Sequence, residues 1–155
     1  MENNIDEFDD LLEKQPDIVN SLRGNYGWTL LMMGCFKGHQ KIVSLLSQRD
    51  HDLSIFNDDG LNVLHFIVWN NDDDVSLELL NIIDSSQISD IVNEQTNKYD
   101  NDTPLHHAAR WNMHKSIVWL LEHGADPSFK IHGRCPDEQD RCGDETIRLI
   151  RSFLK

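Results

Sequence analysis

The chain has 155 residues, 39% hydrophobic and 26% charged, with a net charge of −13. That length gives one domain with a real core. The charge argues against nucleic acid and anionic membrane as direct ligands, since both are bound through Lys and Arg, and no apolar run approaches the roughly 20 residues a bilayer span needs.

The acid is unevenly placed. Thirteen Asp and Glu, against Lys98 as the only Lys or Arg, fall between residues 50 and 102. Such a field favours a basic protein partner, above all in association rate, although surplus acid also serves solubility alone. The opening MENNIDEFDD lacks the basic-then-apolar layout of a secretory signal. Three cysteines, Cys35, Cys135 and Cys142, make an odd count without framework spacing. A reducing setting, cytoplasmic or nuclear, is expected.

In chain order, the first element is an amphipathic helix through Ile5, Phe8, Leu11 and Leu12, closed near Pro16. From residue 27 the chain repeats itself. GWTLLMMGCFKGHQKIVSLLSQ, DGLNVLHFIVWNNDDDVSLELL, NDTPLHHAARWNMHKSIVWLLEHGAD and GRCPDEQDRCGDETIRLIRSFL align with Thr29, Asn62, Thr103 and Cys135 in one place. The steps are 33, 41 and 32 residues.

Each aligned place has a physical job. Thr103 is suited to cap a first helix, with Pro104 at the position that needs no N–H. Leu105, Ala108 and Ala109 share one helical face, and Ile117, Leu120 and Leu121 give the second helix its stripe. Gly124 suits the left-handed residue that ends it. Gly27, Gly60 and Gly133 suit the turns between units, with Asn101 the next-best residue for positive φ. The long step holds eight extra residues around 84–92, so the second helix there is expected to be long or followed by an extra turn. In the last unit Asp137, Glu138, Gln139 and Asp140 stand where an apolar first helix would be, and a final helix over 144–154 carries Ile147, Leu149, Ile150 and Phe153.

Thr103-Pro104-Leu105-His106-His107-Ala108 matches in full the Thr-Pro-Leu-His-x-Ala mark of a 33-residue unit of β-turn plus two helices. The chain therefore resembles the ankyrin-repeat family, and Gly38-His39, Ile42-Val43, Leu45-Leu46 and Gly124-Ala125-Asp126 sit in that family's places. Leu30 and Val63 depart from its Pro, and Met32 from its His. The resemblance implies an all-α fold, an ankyrin-repeat solenoid of helix-turn-helix units with short β-turn hairpin tips. It also implies a single ankyrin-repeat domain over 1–155, divided into an N-terminal half-repeat cap (1–24), a repeat (25–56), a repeat with an insertion (57–97), a repeat (98–130) and a C-terminal cap repeat (131–155). Both ends read as caps with polar outer faces.

Eight histidines invite a search for chemistry. His65 and His106 occupy the repeat's own His place and His39 its Gly-His place, where the resemblance implies local hydrogen bonds. His107 and His114 are read as near enough to meet on one helix, but no third ligand stands at zinc spacing. His51, His123 and His132 fall near turns and are expected in solvent. Cys135 and Cys142 are too far apart for a zinc pair. Asp72-Asp73-Asp74 lacks the alternation, the glycine and the closing Glu of a calcium loop; it is expected to cap a helix. No catalytic residue, metal or cofactor is expected, and the protein is not read as an enzyme.

In the family, partners lie in a concave groove lined by turn tips and outer positions of the first helices. The register places Tyr26, Trp28, Phe36, Asp58, Asp59, Leu61, Trp69, Tyr99, Asp100, Asp102, Arg110 and Trp111 there. Aromatics and Arg anchor interfaces, so an aromatic centre with an acidic rim is expected; the rival arrangement packs Trp69 and Trp111 on each other or under the next turn. Trp119 falls on a core position. The resemblance implies a non-enzymatic protein–protein interaction module, monomeric when free, binding a basic protein or peptide as adaptor, chaperone or inhibitor. The layout resembles small ankyrin chaperones of ribosomal or proteasomal subunits. A structural scaffold fragment and a substrate-recruiting subunit of an enzyme complex remain the alternatives.

Overall fold

The computed structural model describes residues 2–21, 23–83, 86–96 and 101–154. Helix α1 (Glu2–Lys14) and the short α2 (Ile18–Ser21) precede three helical hairpins: α3 (Leu30–Phe36) with α4 (Gln40–Ser47), α5 (Val63–Val68) with α6 (Asp73–Ile83), and α8 (Pro104–Arg110) with α9 (His114–Glu122). The one-turn α7 (Ile88–Ile91) follows α6, and α10 (Asp144–Phe153) follows a 3-10 turn at Pro136–Glu138. Among the described residues there is no strand, only an isolated bridge between Ile131 and Arg134.

The hairpins stack in two rows. Inner helices α3, α5 and α8 touch in sequence and end on the 136–138 turn; outer helices α4, α6, α9 and α10 touch likewise. All six residues of α5 are buried because it has neighbours on both sides and α6 behind it. Phe66 is the largest of the fully buried side chains.

Each inner helix starts on the residue that the alignment places there. The Thr29 hydroxyl accepts from the Met32 amide at 3.1 Å, Asn62 Oδ1 from the Leu64 amide at 3.0 Å, and the Thr103 hydroxyl from the His106 amide at 3.4 Å. These bonds satisfy amides that a helix start otherwise leaves unpaired. The third residue reaches back: the Asn62 amide donates to His65 Nδ1 at 3.2 Å, and the Thr29 amide approaches Met32 Sδ at 3.4 Å. Met32 thus fills the histidine's place with a weak acceptor. His65 also joins two units, its Nε2 lying 3.2 Å from the Asp102 carbonyl.

The turns between units are left-handed at Gly27, Gly60, Asn101 and Gly133. Gly27 shows why: at φ 73° it lies where L residues are strained, and a Cβ there would sit 2.6 Å from Asp58 Oδ1. The close approach lets the Asp58 amide donate to the Tyr26 carbonyl at 3.1 Å, tying one finger turn to the next. A second left-handed position recurs after each inner helix, at Gly38, Asn71, Asn112 and Arg141.

The surplus of the long unit is used twice. Helix α6 has 11 residues against 8 in α4 and 9 in α9, and α7 is the extra turn. Ile88, Ile91 and Val92 are buried, and Asn62 Nδ2 donates to the Ile91 carbonyl at 2.7 Å. The last unit keeps only the 3-10 turn in place of an inner helix, where Asp137 is buried and accepts from Arg151 Nε at 2.7 Å.

Candidate protein-binding face

The finger turns and the C-terminal ends of the inner helices form one face, and its aromatic side chains meet across the units. Trp28 packs edge-on against Phe36, ring centres 5.3 Å apart, and against Phe66 at 4.6 Å. Phe66 meets Trp69 at 5.9 Å, Trp69 meets His107 at 5.5 Å, and His107 meets Trp111 at 6.3 Å. Arg141 lays its guanidinium over Trp111 at 5.5 Å, and Lys37 lies over Phe36 at 5.4 Å. Edge-to-face rings and cations over rings are the favoured geometries for such groups. The row therefore runs without a gap from α3 to Arg141, three residues beyond the 136–138 turn.

Exposure along the row is graded. Phe66 is buried; Trp28, Phe36, Trp69 and Arg110 are half-buried; Trp111 is 41% exposed and Tyr26, on its finger, 69%. Trp69 donates its indole N–H to His107 Nδ1 at 3.0 Å. Burial, and then the charge of Arg110, hold the His107 ring neutral by lowering its pKa from 6.5 to about 3.

Three residues expected to line the groove or its rim lie inside instead. Leu61 belongs to the core, and Asp59 and Asp102 are buried, while Asp58 is exposed. The reason is the closure of the finger. Asn57 Oδ1 accepts from the amides of Asp59 at 3.0 Å and Leu61 at 2.8 Å, and the tight turn directs Leu61 to the core. Asp102 is paired with Arg110 at 2.7 Å, and Arg110 also donates to Gln139 at 3.1 Å. Tyr99 and Asp100 lie outside the described residues. The row also takes in His107 and Arg141, which alignment alone does not place on it. Gly38, Asn71 and Asn112 each stand nine residues after the aligned capping place, but Arg141 stands six after Cys135, so the register does not point to it.

The other histidines are structural or solvent-facing. His107 is on α8 and His114 on α9, so they share no helix; His114 pairs with the Thr146 hydroxyl at 2.8 Å. His123 is not free in solvent but stacks on Trp119 at 3.6 Å, and Trp119 is buried with its N–H on Asn81. His132 is exposed, and so is His39, whose ring makes no hydrogen bond among the described residues. Burial lowers the pKa of His65 and of His106 to about 4. Asp72 caps α6 through the amides of Asp74 and Val75, each at 3.1 Å. Asp73 reaches α9 of the next unit, accepting from Lys115 N at 2.8 Å, Ser116 N at 2.9 Å and the Ser116 hydroxyl at 2.8 Å. Among the described residues no group of three or more His, Cys, Asp or Glu is placed to hold a metal ion, and no helix is long and apolar enough to cross a membrane.

Stacked helical hairpins with left-handed finger turns define a helical repeat solenoid. The sequence model of a family described as ankyrin repeats, in three copies, matches residues 50–131, more than half of the chain. The chain belongs to the ankyrin-repeat family, whose repeats are generally protein–protein interaction modules and typically non-enzymatic.

Proposed function

We propose that this protein holds another polypeptide against the face carrying the aromatic row, without catalysis of its own, as an adaptor, chaperone or inhibitor. The observation that carries the reading is the row itself. Its rings are fixed by one another at the α5 centre and open to solvent at Trp111, so the exposed ring is already ordered and loses little entropy on binding. Trp28, Phe36, Trp69 and Arg110 supply its half-buried flank, Tyr26 and Asp58 stand on the fingers, and Tyr99 and Asp100 belong to the same register. On this reading the units divide at residues 25, 57, 98 and 131.

The partner is basic in overall charge, which the acid surplus between residues 50 and 102 favours. A reducing compartment, the cytoplasm or nucleus, fits the odd cysteine count, and on this reading the free chain is a monomer. The test is affinity capture from a native extract with the whole chain and with Trp111→Ala. Partners captured by the first and lost by the second, with affinity falling as salt rises, support the proposal. Identical capture by both removes the face from the account, and salt-insensitive affinity removes the basic partner.

A further inference from the structure

Arg141 stands where the repeat asks for another residue. The turn after each inner helix is left-handed, and the other units meet it with Gly38, Asn71 and Asn112. Arg141 adopts the same conformation at φ 73°, which disfavours a residue with a long side chain. The surroundings enforce it. Asn112 Nδ2 donates to the Arg141 carbonyl at 2.9 Å, while Asn112 Oδ1 accepts from the Gly143 amide at 2.7 Å and the Thr146 hydroxyl at 2.8 Å. A strained residue held this firmly marks a place where its side chain is needed.

The side chain lies over Trp111, the exposed end of the row. Of the three arginines at this end, Arg110 is taken by Asp102 and Arg134 by Asp140. Arg141 makes no ion pair with any described residue. A guanidinium over an indole face spends none of its N–H donors on the ring, and their fork matches a carboxylate.

We propose that Arg141 and Trp111 together receive an acidic side chain of the partner, an Asp or Glu whose apolar neighbour packs on the indole. This rests on the reading that the face binds a polypeptide, and it adds that a partner basic in overall charge carries one acidic residue that sets its register. The carboxylate takes the outer edge of the guanidinium, and the indole takes the adjacent apolar group. The local charge is complementary because the cation is the one left unpaired.

The probe is a phage-displayed library of random linear peptides selected on the whole chain. Enriched peptides are expected to share an acidic residue beside an apolar one. Arg141→Asn is the informative variant, because Asn71 and Asn112 already occupy this turn, so its melting temperature is expected to equal or exceed the parent's. It should bind those peptides about tenfold more weakly. Replacing the peptide's Glu by Gln should cost the parent protein the same factor and the Arg141→Asn variant nothing further. Peptides that need Trp111 but share no acidic position, or that bind Arg141→Asn as well as the parent, overturn this inference alone. No enrichment, or peptides indifferent to Trp111→Ala, overturns the proposed function with it.

Discussion

The indole N–H of Trp69 ends on the Nδ1 of His107, 3.0 Å away in the next unit. The acceptor must be unprotonated, so the ring carries its hydrogen on Nε2 and this bond between the two units lasts only while His107 is neutral.

That neutrality gives a pH dependence. His65, His106 and His107 have folded pKa values of about 4, about 4 and about 3, each below the ordinary 6.5. Below about pH 6.5 the unfolded chain takes up protons that the fold refuses. Stability is full above that pH and falls as pH drops towards the folded values, by up to about 1.4 kcal/mol per pH unit for each histidine. Urea denaturation at about pH 7 and about pH 5 checks this; equal midpoints would mean the three rings protonate freely in the fold.

The two tryptophans of the row should separate. Trp69→Ala removes a half-buried ring set against Phe66 and strips His107 of its donor, costing about 2–3 kcal/mol. Trp111→Ala removes a ring 41% exposed and should stay within about 1 kcal/mol. Denaturation of both variants decides it, and equal losses would place Trp111 in the core.

Asp73 and Asp74 are neighbours with unequal work. Asp73→Ala leaves the first amides of α9 without an acceptor and should cost about 1–2 kcal/mol. Asp74 pairs with Lys115 at the surface, and Asp74→Ala should cost under about 0.5 kcal/mol. Thermal melts that rank them the other way contradict the capping account.

Asp102 and Asp58 should also part company. Asp102→Asn weakens a buried partner of Arg110 and should lower stability by about 1–3 kcal/mol. Asp58→Asn, exposed on its finger, should leave the melting temperature nearly unchanged while reducing the salt dependence of partner binding. An unchanged salt slope would show that Asp58 steers nothing.

Much of this architecture is legible in the residues. Thr29, Asn62 and Thr103 start helices because a side-chain oxygen at that place serves nearby amides, and a local rule of this kind needs no tertiary knowledge. Cys135 takes the same place before a 3-10 turn, since Asp137 and Glu138 follow it instead of apolar residues. The direction of a finger carboxylate was hidden, because it depends on the Asn57 side chain closing the turn beneath Asp59 and Leu61. Arg141 was hidden for a different reason. Its ring partner stands thirty residues earlier, and its unit has lost the helix that would have marked the register. His123 looked solvated beside a terminating glycine, yet one helical turn returns its ring onto Trp119.

The caps that cross between hairpins bear on how the molecule comes apart. Helix α9 begins on a carboxylate from α6, and the start of α10 rests on the side-chain oxygen of Asn112, which accepts from the Gly143 amide. Cutting the chain between hairpins would expose donors on one fragment that only the other can answer. Loss of order in the α5–α6 or α8–α9 hairpin thus propagates to its follower, and amide exchange is expected to report a single concerted opening from α5 to α10 rather than a peeling of independent pieces.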